Sequence, residues 1–171
     1  YTPGHPLKII LDFLFFNTGV KLWFYLSIGG LGLFFFLRFL KISNYSSLFA
    51  GIAYALTPYV FGLISAGHNN KIMAGGFIPW VVFSAIYMFK YPSIKSLLFL
   101  SIASALQLWT NHPQIFYYTW MVIGLWWFLD LIFSTIKKES KVKGKFNNLG
   151  LIILSLVISL LMVSDPYYEV Y

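Results

Sequence analysis

The chain has 171 residues, of which 59% are hydrophobic, 21% aromatic and only 10% charged, and its mean hydropathy is positive. A soluble domain of this size carries about 25% charged residues to cover its surface, so the composition excludes an ordinary water-soluble globule and points to lipid as the solvent. The absence of cysteine excludes a disulfide scaffold and a thiolate metal site, and the net charge of +7 implies nucleic acid only if the basic residues form a stripe, which they do not.

The chain opens at Tyr1 without an initiator Met or a charged region ahead of a short apolar segment, which reads as an internal stretch of a longer protein and not as a signal peptide. Residues Pro6 to Asn17 (PLKIILDFLFFN) form an apolar segment interrupted by Lys8 and Asp12. A helix of that length covers about 18 Å against a hydrocarbon core of about 30 Å, so the expectation is a helix lying in the interface. Six apolar runs follow: Val20 to Leu40, Ser46 to Ala66, Ile72 to Phe89, Ile94 to Trp109, Ile115 to Ile136 and Leu149 to Ser164. They predict an all-α, polytopic transmembrane helical bundle of six spans that forms a single domain over residues 1–171. The connections are short except for the basic loop between Lys137 and Asn148, and they leave no room for a soluble domain.

The charges give this bundle a direction. With the Arg38/Lys41 turn on the cytoplasmic side, alternation brings Lys90, Lys95, Lys137, Lys138, Lys141, Lys143 and Lys145 to that side and leaves only Lys8, Lys21 and Lys71 on the other. This is the lysine asymmetry of a membrane protein oriented by its loops. The same alternation sends His5, His68 and His112 to the outer side, together with Asp12, Asp165 and Glu169.

Chemistry therefore belongs on the outer face. Two adjacent turns, GHNNK and TNHPQ, present His68, Asn69, Asn70 and Lys71 beside Asn111, His112 and Gln114, with Gln107 just below. Imidazoles, amides and an ammonium can bind phosphate or sugar hydroxyls. The competing reading is that these residues only cap helix ends, which must satisfy free backbone groups inside a membrane. A metal site drawn from His68, His112, Asp165 and Glu169 lacks ligand spacing, and none is assigned.

Pro58 and Pro79 fall inside the second and third runs, where the missing donor kinks a helix, frees a carbonyl and can open a cavity. Small residues at Ser47, Gly51 and Ala55, at Ser101 and Ala105, and at Gly29, Gly30 and Gly32 predict seams of close helix packing. Trp23, Trp80, Trp109, Trp120, Tyr167 and Tyr168 suit interfacial belts. Asp130, the one carboxylate within a run, lies toward the cytoplasmic end and suits an ion pair with Arg38, Lys90 or Lys95.

The stretch GHNNKIMAGGFIPWVVFSAIYMF, followed by LQLWTNHPQIFYYT, resembles the bacterial YfhO-like membrane proteins, and the preceding FLRFLKISNYSSLFAGIAYALTPYVFGLISAG is similar as well. The resemblance covers roughly residues 20 to 135. That family resembles the GT-C superfamily of integral membrane glycosyltransferases, which implies transfer of a sugar from a polyprenyl-phosphate donor to a cell-envelope acceptor at the extracytoplasmic face of the bacterial inner (plasma) membrane. It implies roles for Lys71, His68 and His112 toward phosphate and for Asn69, Asn111 and Gln114 toward hydroxyls. It also implies a catalytic acid outside this chain and allows a divalent metal. The expected partners are membrane lipid, the lipid-linked donor and other membrane proteins, with no nucleic acid. Two alternatives stand beside it: a non-catalytic scaffold subunit whose polar turns only cap helices, and a transporter segment, which calls for internal repeats and helices broken at mid-depth.

Overall fold

The computed structural model describes residues 17–136 and 142–168, and every regular element among them is a helix. In chain order these are α1 (Thr18–Phe39), α2 (Asn44–Ala55), α3 (Pro58–Ser65), α4 (Asn69–Lys90), α5 (Ile94–Leu108), α6 (Pro113–Ile136) and α7 (Val142–Tyr168). The interfacial helix expected over Pro6 to Asn17 lies outside the described residues, except for Asn17 itself. Asn17 is extended and caps α1 by accepting a 2.7 Å bond from the Gly19 amide.

Four segments are long and apolar enough to cross a membrane: Thr18–Phe39, Asn44–Ser65, Asn69–Lys90 and Pro113–Ile136. The 15-residue α5 and the apolar stretch Asn148–Ser164 are shorter. The distribution of side chains suits lipid outside and protein inside. Ser47, Ser84, Ser96, Ser101, Ser104, Ser155 and Ser159 are fully buried, whereas Leu125, Phe128, Phe133 and Ile136 of α6 face outward. A soluble fold would expose the serines and bury those large side chains, because apolar burial drives folding in water but not within lipid.

Helix α4 is the central post, packed against α1, α3, α5, α6 and α7. Its register against α1 depends on the absence of side chains. A Cβ on Gly76 would stand 2.5 Å from the Tyr25 carbonyl oxygen, and one on Gly32 would meet the Trp80 indole at 2.7 Å. Trp80 also donates from Nε1 to the Ile28 carbonyl at 2.9 Å, which satisfies the indole and pins the two helices together. The expected small-residue seams are present: Gly30 on α1 faces Gly51 on α2, and Ser101 and Ala105 are buried on α5.

The second apolar run is not one helix, which corrects the expectation of a single kinked span. α2 ends at Ala55, and Thr57 takes an extended conformation (φ −59°, ψ 136°) ahead of Pro58, the first residue of α3. The pyrrolidine ring pushes the preceding residue out of the helical region and is itself favoured at a helix start, so the chain breaks between Leu56 and Thr57. Pro79, in contrast, stays inside an unbroken α4.

Helices α1 and α4 run parallel and α5 returns antiparallel, so the turns sort to two rims. At one rim the Lys90 ammonium lies 5.0 Å above the Phe39 ring, and Asn148 of α7 reaches the Phe89 carbonyl. Arg38, Lys41 and Lys95 belong to turns at this same end. The opposite rim carries His68 and His112.

Candidate functional site

Two turns build the rim that holds His68 and His112. In the first, α3 closes on Gly67, whose φ of +72° lies in the left-handed region. The Gly67 amide then reaches the Ile64 carbonyl at 3.0 Å, and the His68 amide reaches the Leu63 carbonyl at 2.9 Å. This double closure satisfies the last carbonyls of α3 and needs the residue without a Cβ at that point. His68 then stands at the N-cap of α4, yet its side chain makes no capping hydrogen bond. The imidazole is exposed, and capping by the side chain does not explain it.

The second turn uses Asn111 in the left-handed role, with φ of +57°. Its amide closes on the Leu108 carbonyl at 3.1 Å. The His112 carbonyl then accepts from Ile115 at 3.2 Å and starts α6, with Pro113 as the first helical residue. Asparagine tolerates this conformation better than most residues, so the backbone alone gives a reason for Asn111.

The turns face each other closely enough for their charges to interact. Burial pushes the His112 imidazole below its ordinary value of 6.5, and the nearby Lys71 ammonium and His68 ring push it further in that direction. Its own backbone acts in the opposite sense, but the net direction is down. His112 is therefore neutral at pH 7. Its Nδ1 is enclosed and has no hydrogen-bond partner among the described residues.

Lys71 is half-buried on the first turn of α4, where it lines a cleft of about 240 Å³. The other walls are Leu26 of α1, Tyr54 and Thr57 at the broken span, Tyr59, Val60 and Leu63 of α3, Ile72, Gly75, Gly76 and Ile78 of α4, and Ile115 of α6. One ammonium in an otherwise apolar hollow suits an amphiphile with an anionic head. The break at Leu56 and Thr57 lies on this wall, and non-helical backbone at such depth is tolerated only where it is enclosed by protein or lines a cavity.

Of the residues expected to act together, His68, Lys71 and His112 do share this corner, and Asn69 lies between the first two in the chain. Of this set Lys71 alone lines the cleft; His68, Asn69, Asn111 and His112 do not, and neither does Gln114. Its amide donates to the Tyr118 hydroxyl at 3.0 Å, one turn along α6. Gln107 sits fully buried beneath the rim, donating to Thr119 of α6 at 3.0 Å and to the Ala74 carbonyl of α4 at 3.4 Å. It ties three helices together below His112. Among the described residues no three His, Asp or Glu side chains come together, so a divalent metal finds no ligand set there. Asp12 and Glu169 lie outside the described residues, and so does the side chain of Asp165. Asp130 is exposed on α6.

Tyr54 went unnoticed in the sequence. Its hydroxyl donates to the Gly75 carbonyl at 2.7 Å, the carbonyl four residues before Pro79 and hence the one that the proline leaves without a helical donor. The proline pointed to an orphaned acceptor at Gly75. Nothing local pointed to a donor 21 residues away.

No protein-family model, no curated protein and no solved structure matches this chain.

Proposed function

We propose that this chain is part of an integral membrane glycosyltransferase, a six-span bundle in the bacterial inner (plasma) membrane. It uses a polyprenyl-phosphate-linked sugar at the extracytoplasmic face to modify a cell-envelope acceptor. The observation that carries this reading is the position of Lys71: one cation on the wall of an apolar cleft, with His68 and His112 within electrostatic reach. A lipid-borne phosphate needs that combination, an apolar hollow for the chain and a fixed positive charge for the head.

In the reaction, an acceptor hydroxyl attacks the anomeric carbon, the new glycosidic C–O bond forms, and the bond from that carbon to the lipid phosphate oxygen breaks. The hydroxyl proton passes to a carboxylate outside this chain, and the electron pair leaves with the phosphate. The Lys71 ammonium stabilises the charge that gathers on the departing phosphate, which is worth more in a site shielded from water. His112, whose imidazole is held by burial below its ordinary value in the free site, serves as a hydrogen-bond donor. His68 is free to bond the phosphate because it caps nothing with its ring. Asn69 stands between them in sequence to read a sugar hydroxyl.

The test is transfer and donor binding by the full-length protein with Lys71→Ala, His68→Ala and His112→Ala. The expected result is roughly tenfold weaker binding of the lipid-linked donor for Lys71→Ala, the scale of one charge-assisted contact. Unchanged binding and transfer in all three variants would leave the rim a set of helix ends and favour a scaffold subunit. A helix broken beside a cleft also suits a transporter segment. Uptake of a solute by the reconstituted protein, without any transfer of sugar, would favour that second reading.

A further inference from the structure

Three parts of the molecule meet at one phenol. Tyr54 is on the last turn of α2, two residues before the break at Leu56. Its ring lies over Gly29 of α1, where a Cβ would come within 2.8 Å of Cε1. Its hydroxyl bonds the Gly75 carbonyl of α4. Tyr54 and Gly75 both line the cleft that contains Lys71, and Lys71 is one helical turn before Gly75 on the same face of α4.

The other attachments around the break are apolar: Ala55, Val60 and Leu63 pack with Leu22 and Leu26 of α1 and Ile72 of α4. Thr57 makes no side-chain cap, and Pro58 has no amide hydrogen to donate. Among the described residues, the hydrogen bond from Tyr54 is a polar tie between the end of α2 and the wall that carries Lys71. We infer that Tyr54 is a positioning residue: by clamping the end of α2 to the Gly75 carbonyl, it sets the width of the cleft and holds Lys71 opposite the apolar wall of α3. This rests on the reading that the cleft receives a lipid-borne phosphate. The orphaned carbonyl supplies the acceptor, so Pro79 and Tyr54 act as a pair.

The pair can be separated experimentally. Tyr54→Phe keeps the ring over Gly29 and removes only the clamp. Pro79→Ala returns a helical N–H to the Gly75 carbonyl without restoring any tie to α2. The probe is phosphatidic acid in phosphatidylcholine nanodiscs holding the full-length protein, with retained lipid counted by native mass spectrometry and folding followed by thermal unfolding.

Lys71→Ala and Tyr54→Phe are each expected to lower phosphatidic acid retention roughly three- to tenfold, the effect of one hydrogen bond or charge contact. Pro79→Ala alone should retain lipid as the parent does. The double variant Tyr54→Phe/Pro79→Ala should regain the melting temperature lost in Tyr54→Phe while retention stays low. Recovery of both would show that the hydroxyl only satisfies a carbonyl, and would overturn the inference. A loss with Lys71→Ala but none with Tyr54→Phe would also overturn it while leaving the cleft reading intact. No loss with Lys71→Ala would bring down the cleft reading itself. Should Tyr54→Phe fail to fold, the double variant carries the decision: low retention supports the clamp, and parental retention refutes it.

Discussion

The backbones of Gly30 and Gly51 touch across the α1/α2 seam: a Cβ on Gly51 would lie 2.6 Å from the Gly30 carbonyl oxygen, and one on Gly30 would lie 2.8 Å from that of Gly51. Neither obstacle is a side chain that can swing away. Gly51→Ala must therefore push the helices apart, at a cost of about 1–3 kcal/mol. Thermal unfolding in detergent is expected to show this loss for Gly51→Ala. Gly62→Ala, where a Cβ meets nothing within 4 Å, serves as the near-neutral control.

Gln107 separates hydrogen bonding from charge. Its amide donates twice, but its Oε1 is enclosed with no partner among the described residues. Gln107→Leu gives up the two donations and also removes the unmatched oxygen, so the net change is expected to stay within about 1 kcal/mol. Gln107→Glu keeps the shape and turns a donor into a buried carboxylate beside a carbonyl. It should destabilise by several times more, roughly 3 kcal/mol or beyond. The ratio of the two losses, measured as unfolding free energies in mixed micelles, checks the assignment.

His112 gives a pH dependence of definite sign. Its folded-state value lies below the ordinary 6.5, chiefly through burial. The unfolded chain therefore binds more protons than the folded one around pH 6, and stability rises with pH through that window. Stability is fully present above the unfolded value and is lost as pH falls through it toward the lower folded value. The melting temperature of the parent should drop between about pH 7.5 and about pH 5.5. His112→Asn should drop less over the same interval, and equal slopes would remove His112 as the cause.

Asn111 distinguishes backbone from recognition. With φ of +57°, it adopts the conformation in which glycine carries no penalty and alanine costs about 1 kcal/mol. Asn111→Gly is expected to preserve stability and donor binding, while Asn111→Ala lowers the melting temperature. A binding loss in the stable glycine variant would instead give the amide a part in reading hydroxyls.

Hydropathy placed the run Ile72 to Phe89 within three residues of α4, because such a run has no other way to satisfy its backbone in lipid, but it missed the start of α7, which begins at Val142 inside the expected basic loop and not at Leu149. Alternation then brought His68 and His112 to one rim. The two prolines show where such reading stops. Pro58 is exposed, α2 has ended at Ala55 before it, and it begins a new helix. Pro79 is buried, the Tyr54 hydroxyl reaches the Gly75 carbonyl, and the helix continues. Identical residues meet opposite fates because the deciding partner is distant in the chain. Lys71 was legible as a rim cation, but its place on a cleft wall depends on the break after α2. Gln114 was legible as an amide at a helix start. Its turn toward Tyr118 required the helix phase.

The buried serines bear on how the protein is made. Ser84, Ser101, Ser155 and Ser159 each donate to a carbonyl three or four residues earlier in their own helix. Their polarity is satisfied within their own helices, whereas the buried hydroxyls of Ser47 and Ser104 have no partner among the described residues. The Gly75 carbonyl has no such private partner. Its donor belongs to α2, which precedes α4 in the chain, so α4 depends on a helix that is made before it.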